Sequence, residues 1–297
     1  MEIKTYLAER RLLVEDTLAT LLPRPERELD HHFDSLNYSL RAGGKRVRPI
    51  LCLATAEALG RPVPPRLLPV VCALECIHTY SLIHDDLPAM DDDQLRRGKP
   101  TNHMVFGEAG AILAGDGLLT FAFELLSRTD LEDLLPHHEQ LRIIQLVARA
   151  VGPCGMVGGQ ALDMAAEERT IALEELQRIH RYKTGALITA SVQTGAILGR
   201  ASDEEFQALT AYGNQIGLAF QIVDDLLDVL GTTEQLGKAS GSDAKHSKAT
   251  YPAFFGVEAT RIKAQESVQA AIASLAHFDQ AADPLRELAR YIVSRTN

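Results

Sequence analysis

Apolar residues recur at three- and four-residue spacing along almost the whole chain, with no sustained period-two runs rich in Val, Thr and Tyr. That repeat belongs to helices that bury one face. It predicts an all-α fold of roughly ten or more helices. Gly and Pro clusters punctuate the pattern at Pro23 and Pro25, at Gly43 and Gly44, and within 60–65, 88–100, 129–136, 152–159, 199–203 and 231–252. No linker, repeat or composition shift divides these stretches, so one domain over 1–297 is expected. Two stretches, 67–87 and 218–230, are apolar nearly all round, as in interior helices. Their few polar residues share a stripe: Glu75, His78 and Asp85 in the first, Gln221, Asp224, Asp225 and Asp228 in the second. Both stripes are expected to line a central apolar cavity.

Composition narrows the function classes. Of 297 residues, 46% are hydrophobic and 24% charged, with a net charge of −10. This describes a folded protein, and it argues against binding nucleic acid or an anionic membrane, both of which call for a basic surface. The N-terminal 22 residues alternate charges with Leu and lack the apolar core of a signal peptide or a spanning segment, so a cytoplasmic protein is expected. Cys52, Cys72, Cys76 and Cys154 read as reduced core thiols, because Cys72, Cys76 and His78 match no usual zinc spacing.

The chemistry is concentrated in acids. Asp85, Asp86, Asp91, Asp92 and Asp93 stand in HDDLPAMDDDQ, and Asp224, Asp225 and Asp228 in QIVDDLLDVL. Carboxylates in apolar surroundings are costly unless neutralised, and no adjacent run of Lys or Arg is seen to do so. A cation is therefore expected. Oxygen-only ligands favour Mg²⁺, with Mn²⁺ the alternative, and Mg²⁺ usually shares its shell with phosphate, so the clusters read as opposed walls of a diphosphate clamp. On a straight helix Asp85 and Asp91 would point about 120° apart, so Pro88 must bend the chain between them.

The basic counterparts are RAGGKRVRP (41–49) and LRRGKPTNH (95–103). Gly43 and Gly44 allow backbone N–H groups to approach an anion, with charge from Lys45, Arg46 and Arg48 and then from Arg96 and Arg97. A glycine cap with a basic turn, and surface pairing of the arginines with the Asp run, are the plainer alternatives. His78 lies on the Asp85 face about 10 Å away along the helix, as a phosphate donor or a core histidine, whereas His84 is turned off that face and reads as structural. Lys183 and Thr184 precede Gly185, where a loosened turn would aim the ammonium inward. Lys238 sits in a small, polar segment suited to a lid or a plain loop. Tyr80, with Ser81 beside it, lies about 7.5 Å deeper than Asp85 and would stop a growing apolar tail.

Together, GGKRVRP, DDLPAMD, LRRGKPTNH, GGQALD, KTGAL, QIVDDLLD, LGKASGSD and KATYP resemble the trans-isoprenyl diphosphate synthases in order and spacing over nearly the whole chain. The resemblance implies an all-α isoprenoid synthase fold, a homodimer and three Mg²⁺ ions. It implies condensation of isopentenyl diphosphate with dimethylallyl and then geranyl diphosphate. By that resemblance Asp85 and Asp91, with Asp86 in the same motif, hold two ions, and Asp224, assisted by Asp225 and Asp228, holds the third. Arg96, Lys183 and Lys238 would contact the allylic diphosphate, and Lys45, Arg48, His78 and Arg97 isopentenyl diphosphate. Thr184 and Gln221 would flank the reacting carbons. An aromatic at the position of Tyr80 goes with the fifteen-carbon farnesyl product, geranyl and geranylgeranyl products being the alternatives. A terpene cyclase would not need a second diphosphate site, and a noncatalytic synthase subunit would be expected to have lost carboxylates that this chain keeps.

Overall fold

The computed structural model describes residues 2–23, 25–167, 169–230 and 249–294. Its helices are α1 (Ile3–Leu21), α2 (Asp30–Leu40), α3 (Val47–Ala58), α4 (Leu68–Asp85), α5 (Asn102–Leu126), α6 (His137–Val151), α7 (Met156–Ala166), α8 (Leu173–His180), α9 (Ala186–Leu198), α10 (Asp203–Leu230), α11 (Tyr251–Phe255), α12 (Val257–Ser274) and α13 (Asp283–Ser294). The all-α expectation holds, with one addition. Strands β1 (Leu95–Arg96) and β2 (Lys99–Pro100) pair antiparallel, Leu95 opposite Pro100 and Arg96 opposite Lys99. Two residues per strand are too few to leave a period-two pattern in the sequence.

The described residues fall into two compact units. One comprises Leu7–Ile50 and Pro64–Ile144. In it α4 packs along α5, and α2 packs on both. Pro69 in the first turn pre-sets the helical φ of α4. From Leu68 to Ile77 every α4 side chain is buried, as its all-round apolar sequence requires. Pro88 disfavours helical backbone at Leu87, and the helix ends at Asp85.

The other unit comprises Met1–Tyr6, Leu51–Val63 and Gln145–Asn297. Here α10 is the spine, packed against α9, α12 and α13. Tyr212 on α10 is fully buried and donates its hydroxyl to the Leu285 carbonyl at 2.7 Å, which satisfies the one polar atom that it brings into the core. Large aliphatic side chains such as Leu209, Ile216, Ile222 and Leu226 line the same helix, each contributing about 1.5–3 kcal/mol by leaving water.

One expectation needs amendment. Cys52, Cys72 and Cys76 are buried, and burial pushes the Cys76 thiol up to about 12, but Cys154 is exposed. It stands in the turn before α7, where the chain leaves the core between Gly152 and Gly155. Three segments, Pro65–Asp85, Asn102–Leu131 and His137–Ala166, are long and apolar enough by length and composition to cross a membrane. The first is 78% buried within the protein. On α5, by contrast, Met104, Val105, Ile112 and Leu113 are exposed.

Candidate active site

The first acidic motif forms a closed turn at the end of α4. The Asp91 amide donates to the Asp85 carbonyl at 2.9 Å, and the Asp92 amide to Leu87 at 3.1 Å. The bend demanded at Pro88 is therefore present, and it brings the Asp85 and Asp91 backbones together. Asp92 adopts a φ of +50°, which short polar side chains tolerate better than most. The β1–β2 ribbon follows directly and is tied back by Thr101, whose hydroxyl donates to the Asp93 carbonyl at 2.7 Å.

The ribbon returns a cation to the acids. Arg96 Nε donates to Asp86 Oδ1 at 2.8 Å, while Nη2 bridges Asp86 and Asp93, the latter at 2.9 Å. The cluster is thus partly neutralised from within the chain, by the pairing of an arginine with the Asp run that the sequence left open as the plainer alternative. Asp86 is 3% exposed, and burial pushes its carboxyl up to about 6. Arg96 opposes that shift, and the charges of Asp93 and Asp85 reinforce it. Even with its arginine the turn carries an excess of negative charge, which suits a cation.

Arg97, the next residue, reaches a different wall. Its φ of +55° turns the side chain toward the glycine loop between α2 and α3, where Nη1 donates to the Gly43 carbonyl. Nη2 lies 4.0 Å from Glu75. Gly44, at the strained φ of +132° that glycine takes readily, leaves room for that guanidinium: a Cβ there would sit 2.6 Å from Arg97 Cζ. Arg46, expected to offer charge to an anion, is instead committed inside. It is 3% exposed, donates to Glu75 at 2.7 Å and to the Leu40 carbonyl at 2.8 Å, and lies 3.6 Å from Glu15. A buried carboxylate had to be compensated, and Arg46 is its partner.

His78 on α4 faces this group. Burial first, then Arg48, Arg97, Arg96 and Arg46, pull its pKa well below the ordinary histidine value. His78 is accordingly neutral and can act as a hydrogen-bond donor or acceptor, with the positive charge left to the arginines. Lys45 is exposed and Arg48 buried. Lys45, Arg48, His78 and Arg97 therefore belong to one unit, as do Asp85, Asp86, Asp91 and Arg96. Tyr80 is 5% exposed, and Ser81 donates to the His78 carbonyl at 2.9 Å.

The second acidic motif occupies the last turns of α10 in the other unit. Asp225 and Asp228 are buried, and Gln221 and Asp224 are partly exposed. Asp225 Oδ2 accepts from the Tyr251 amide at 2.8 Å, which pins the start of α11. His180 stacks on Tyr251 with ring centroids 5.6 Å apart, and its Nε2 lies 3.7 Å from Asp225. Burial pulls His180 down to about 4, so this contact joins a neutral imidazole to a carboxylate.

The turn around Lys183 is loosened as expected. Arg181–Gly185 is a π-helical turn between α8 and α9, a geometry that leaves a residue outside the regular ladder. Two glycines press it into place. A Cβ at Gly159 would meet Lys183 Cα at 2.6 Å, and one at Gly217 would meet Gly185 Cα at 2.9 Å. Because Gly217 is on α10, the Lys183–Thr184 turn is packed against the helix that carries Gln221 and Asp224. Lys183 Nζ donates to Asp163 of the GGQALD segment at 2.7 Å. Thr184 is partly exposed. Lys238 lies outside the described residues.

Sequence reasoning placed Glu75 on the polar stripe of α4, Asp93 in the acidic cluster and Asp163 in the GGQALD motif, but it foresaw neither their cationic partners nor the His180–Tyr251 stack. Only Glu75 had a usable signal, a lone acid within an apolar helix, which demands a buried partner. Among the described residues no three His, Cys, Asp or Glu side chains converge to cage an ion unaided. The donor set still fits Mg²⁺, which binds through one or two carboxylates and takes the rest of its shell from water and phosphate.

The Polyprenyl synthetase family model matches residues 30–288. A geranylgeranyl diphosphate synthase of Cyanophora paradoxa is 49% identical over 99% of this chain and 96% of its own length. A farnesyl diphosphate synthase of Geobacillus stearothermophilus is 46% identical over 99% of this chain and 98% of its own. Among solved structures, the FPP/GFPP synthase of Zymomonas mobilis superposes with a TM-score of 0.87 at 42% identity, covering 98% of both chains. With the family model spanning most of its length and such relatives aligned nearly end to end, the chain belongs to the polyprenyl synthetase family, prenyltransferases of the all-α isoprenoid synthase fold.

Proposed function

We propose that this enzyme condenses isopentenyl diphosphate with dimethylallyl and then geranyl diphosphate, releasing diphosphate at each step and ending at farnesyl diphosphate. One observation carries the reading. Consecutive arginines reach two separate places in the same unit, Arg96 the acidic turn and Arg97 the glycine loop near Arg48 and His78, and each place is read here as an anion site. A cyclase, with one diphosphate to hold, has no use for the second.

Asp85 and Asp91, and Asp224 with Asp225 and Asp228, would hold the divalent ions, three Mg²⁺ by the family resemblance. When bound, such ions neutralise charge developing on the departing diphosphate. Arg96 is held at the turn by Asp86 and Asp93, so it meets the allylic diphosphate already oriented. Lys183 and Lys238 are the further allylic-diphosphate contacts that the family resemblance implies. Lys45, Arg48 and Arg97 take the charge of isopentenyl diphosphate, with neutral His78 as a hydrogen-bond donor. The allylic C–O bond breaks with its electron pair leaving on diphosphate, and the isopentenyl double bond attacks the allylic carbon. The proton lost from the adduct passes to the released diphosphate. Thr184 and Gln221 flank the reacting carbons, and apolar walls keep water from the cation.

Tyr80, buried one and a half turns beneath Asp85, is the floor that favours fifteen carbons. Relatives named as geranylgeranyl synthases keep twenty carbons as the second reading. Mass spectrometry of products from each allylic primer decides: farnesyl diphosphate should dominate, and a dominant twenty-carbon product refutes the floor. The exposed apolar side chains of α5 support a homodimer. A cytoplasmic setting agrees with the four free cysteines.

A further inference from the structure

Tyr80 and His84 stand one turn apart on α4, and their rings meet edge to face with centroids 5.7 Å apart and planes at 85°. The imidazole continues across to α5. Its Nε2 lies 3.0 Å from the Ile112 carbonyl, which can only accept, so that nitrogen carries the proton. Directly beneath the ring is Gly115, buried in the body of α5. A Cβ there would meet His84 Cε1 at 2.8 Å, with Cδ2 and Nε2 closer still. Glycine is unfavourable in a helix interior, where alanine is the best residue. Here the missing methyl forms a notch filled by the imidazole.

We infer that His84, seated in the Gly115 notch and bonded to Ile112, is a positioning residue for product length, holding the Tyr80 ring at the angle at which it stops the growing chain. The inference rests on the reading of Tyr80 as the floor. A buried tyrosine ring keeps one orientation only while its neighbours hold it, and the edge-to-face partner is the contact that specifies an angle and not merely a volume. His84 is held by groups on another helix, so it transmits the position of α5 to the floor. With the notch filled, the imidazole has a way out, since its side chain is 29% exposed. Leaving breaks the Ile112 bond and removes the brace from Tyr80.

The test is product length by mass spectrometry for Gly115→Ala, His84→Ala, the double variant and Tyr80→Ala. Tyr80→Ala should lengthen the product. Gly115→Ala and His84→Ala should each raise the fraction of products beyond fifteen carbons at least fivefold, and the double variant should add nothing to His84→Ala. The melting temperature should fall with Gly115→Ala alone yet rise when the same change is made in the His84→Ala background, where the methyl has room. Should Gly115→Ala prove too unstable to assay, His84→Ala alone decides. Unchanged or shorter products from His84→Ala, while Tyr80→Ala lengthens them, overturn the brace. Unchanged products from Tyr80→Ala overturn the floor itself.

Discussion

Gly44→Ala tests the second anion site by moving one guanidinium. The new methyl would lie 2.6 Å from Arg97 Cζ and 2.8 Å from both terminal nitrogens, against about 3.5–4.0 Å for an ordinary contact. Arg97 has to withdraw, giving up the Gly43 carbonyl and its approach to Glu75. A charge-assisted hydrogen bond is worth about 1.5–3 kcal/mol, so losing the contact to a phosphate should raise KM for isopentenyl diphosphate roughly 10- to 150-fold. Backbone strain at φ +132° costs stability as well, about 1–3 kcal/mol. Gly43→Ala separates the two effects: φ is +86° there, but nothing lies within 4 Å of the added methyl. Steady-state kinetics with each substrate varied should show the KM rise for isopentenyl diphosphate in Gly44→Ala, and less than about threefold in Gly43→Ala. Equal effects in both variants, or an equal rise for the allylic substrate, refute the role of Arg97.

Asp85→Ala and Asp224→Ala should each lower kcat by about 10²–10³-fold, the loss of several kcal/mol of charge stabilisation, with helicity by circular dichroism unchanged. Loss of helicity instead makes the carboxylates structural. His78 is held neutral in the fold, and its pKa lies below its unfolded value near 6.5, so its contribution to stability is complete above that pH and is lost as acid charges it. Denaturant titrations should therefore show stability falling below about pH 6.5, with a shallower fall in His78→Gln; equal slopes contradict an imidazole held neutral by the fold. Leu113→Glu, at a side chain 57% exposed on α5, should convert the proposed homodimer to monomer in light scattering, and an unchanged dimer mass, or a monomer before the change, contradicts a dimer built on this face.

What could be read from the chain depended on how far apart in sequence the interacting residues lie. Helices announce themselves within a few residues, and the unusual α4 did so through its unbroken apolar surface. The acidic turn was legible because Pro88 and a six-residue spacing leave little choice of geometry. Arg46 reads as an anion contact from its neighbours in sequence because its partner, Glu75, stands 29 residues away and no local rule links them. The same holds for Lys183 with Asp163, and for His84 with Gly115, where the signal is an absent methyl. Asp86 shows the limit most clearly: the sequence groups it with Asp85 and Asp91 as a metal ligand, while the fold gives it Arg96 to hold.

Joint consumption of two diphosphate esters under divalent-metal control has a direct test. Diphosphate release by the purified protein should require dimethylallyl diphosphate, isopentenyl diphosphate and Mg²⁺ all at once, cease with chelator and return with excess metal. Release that proceeds with either substrate alone, or that survives the chelator, contradicts it.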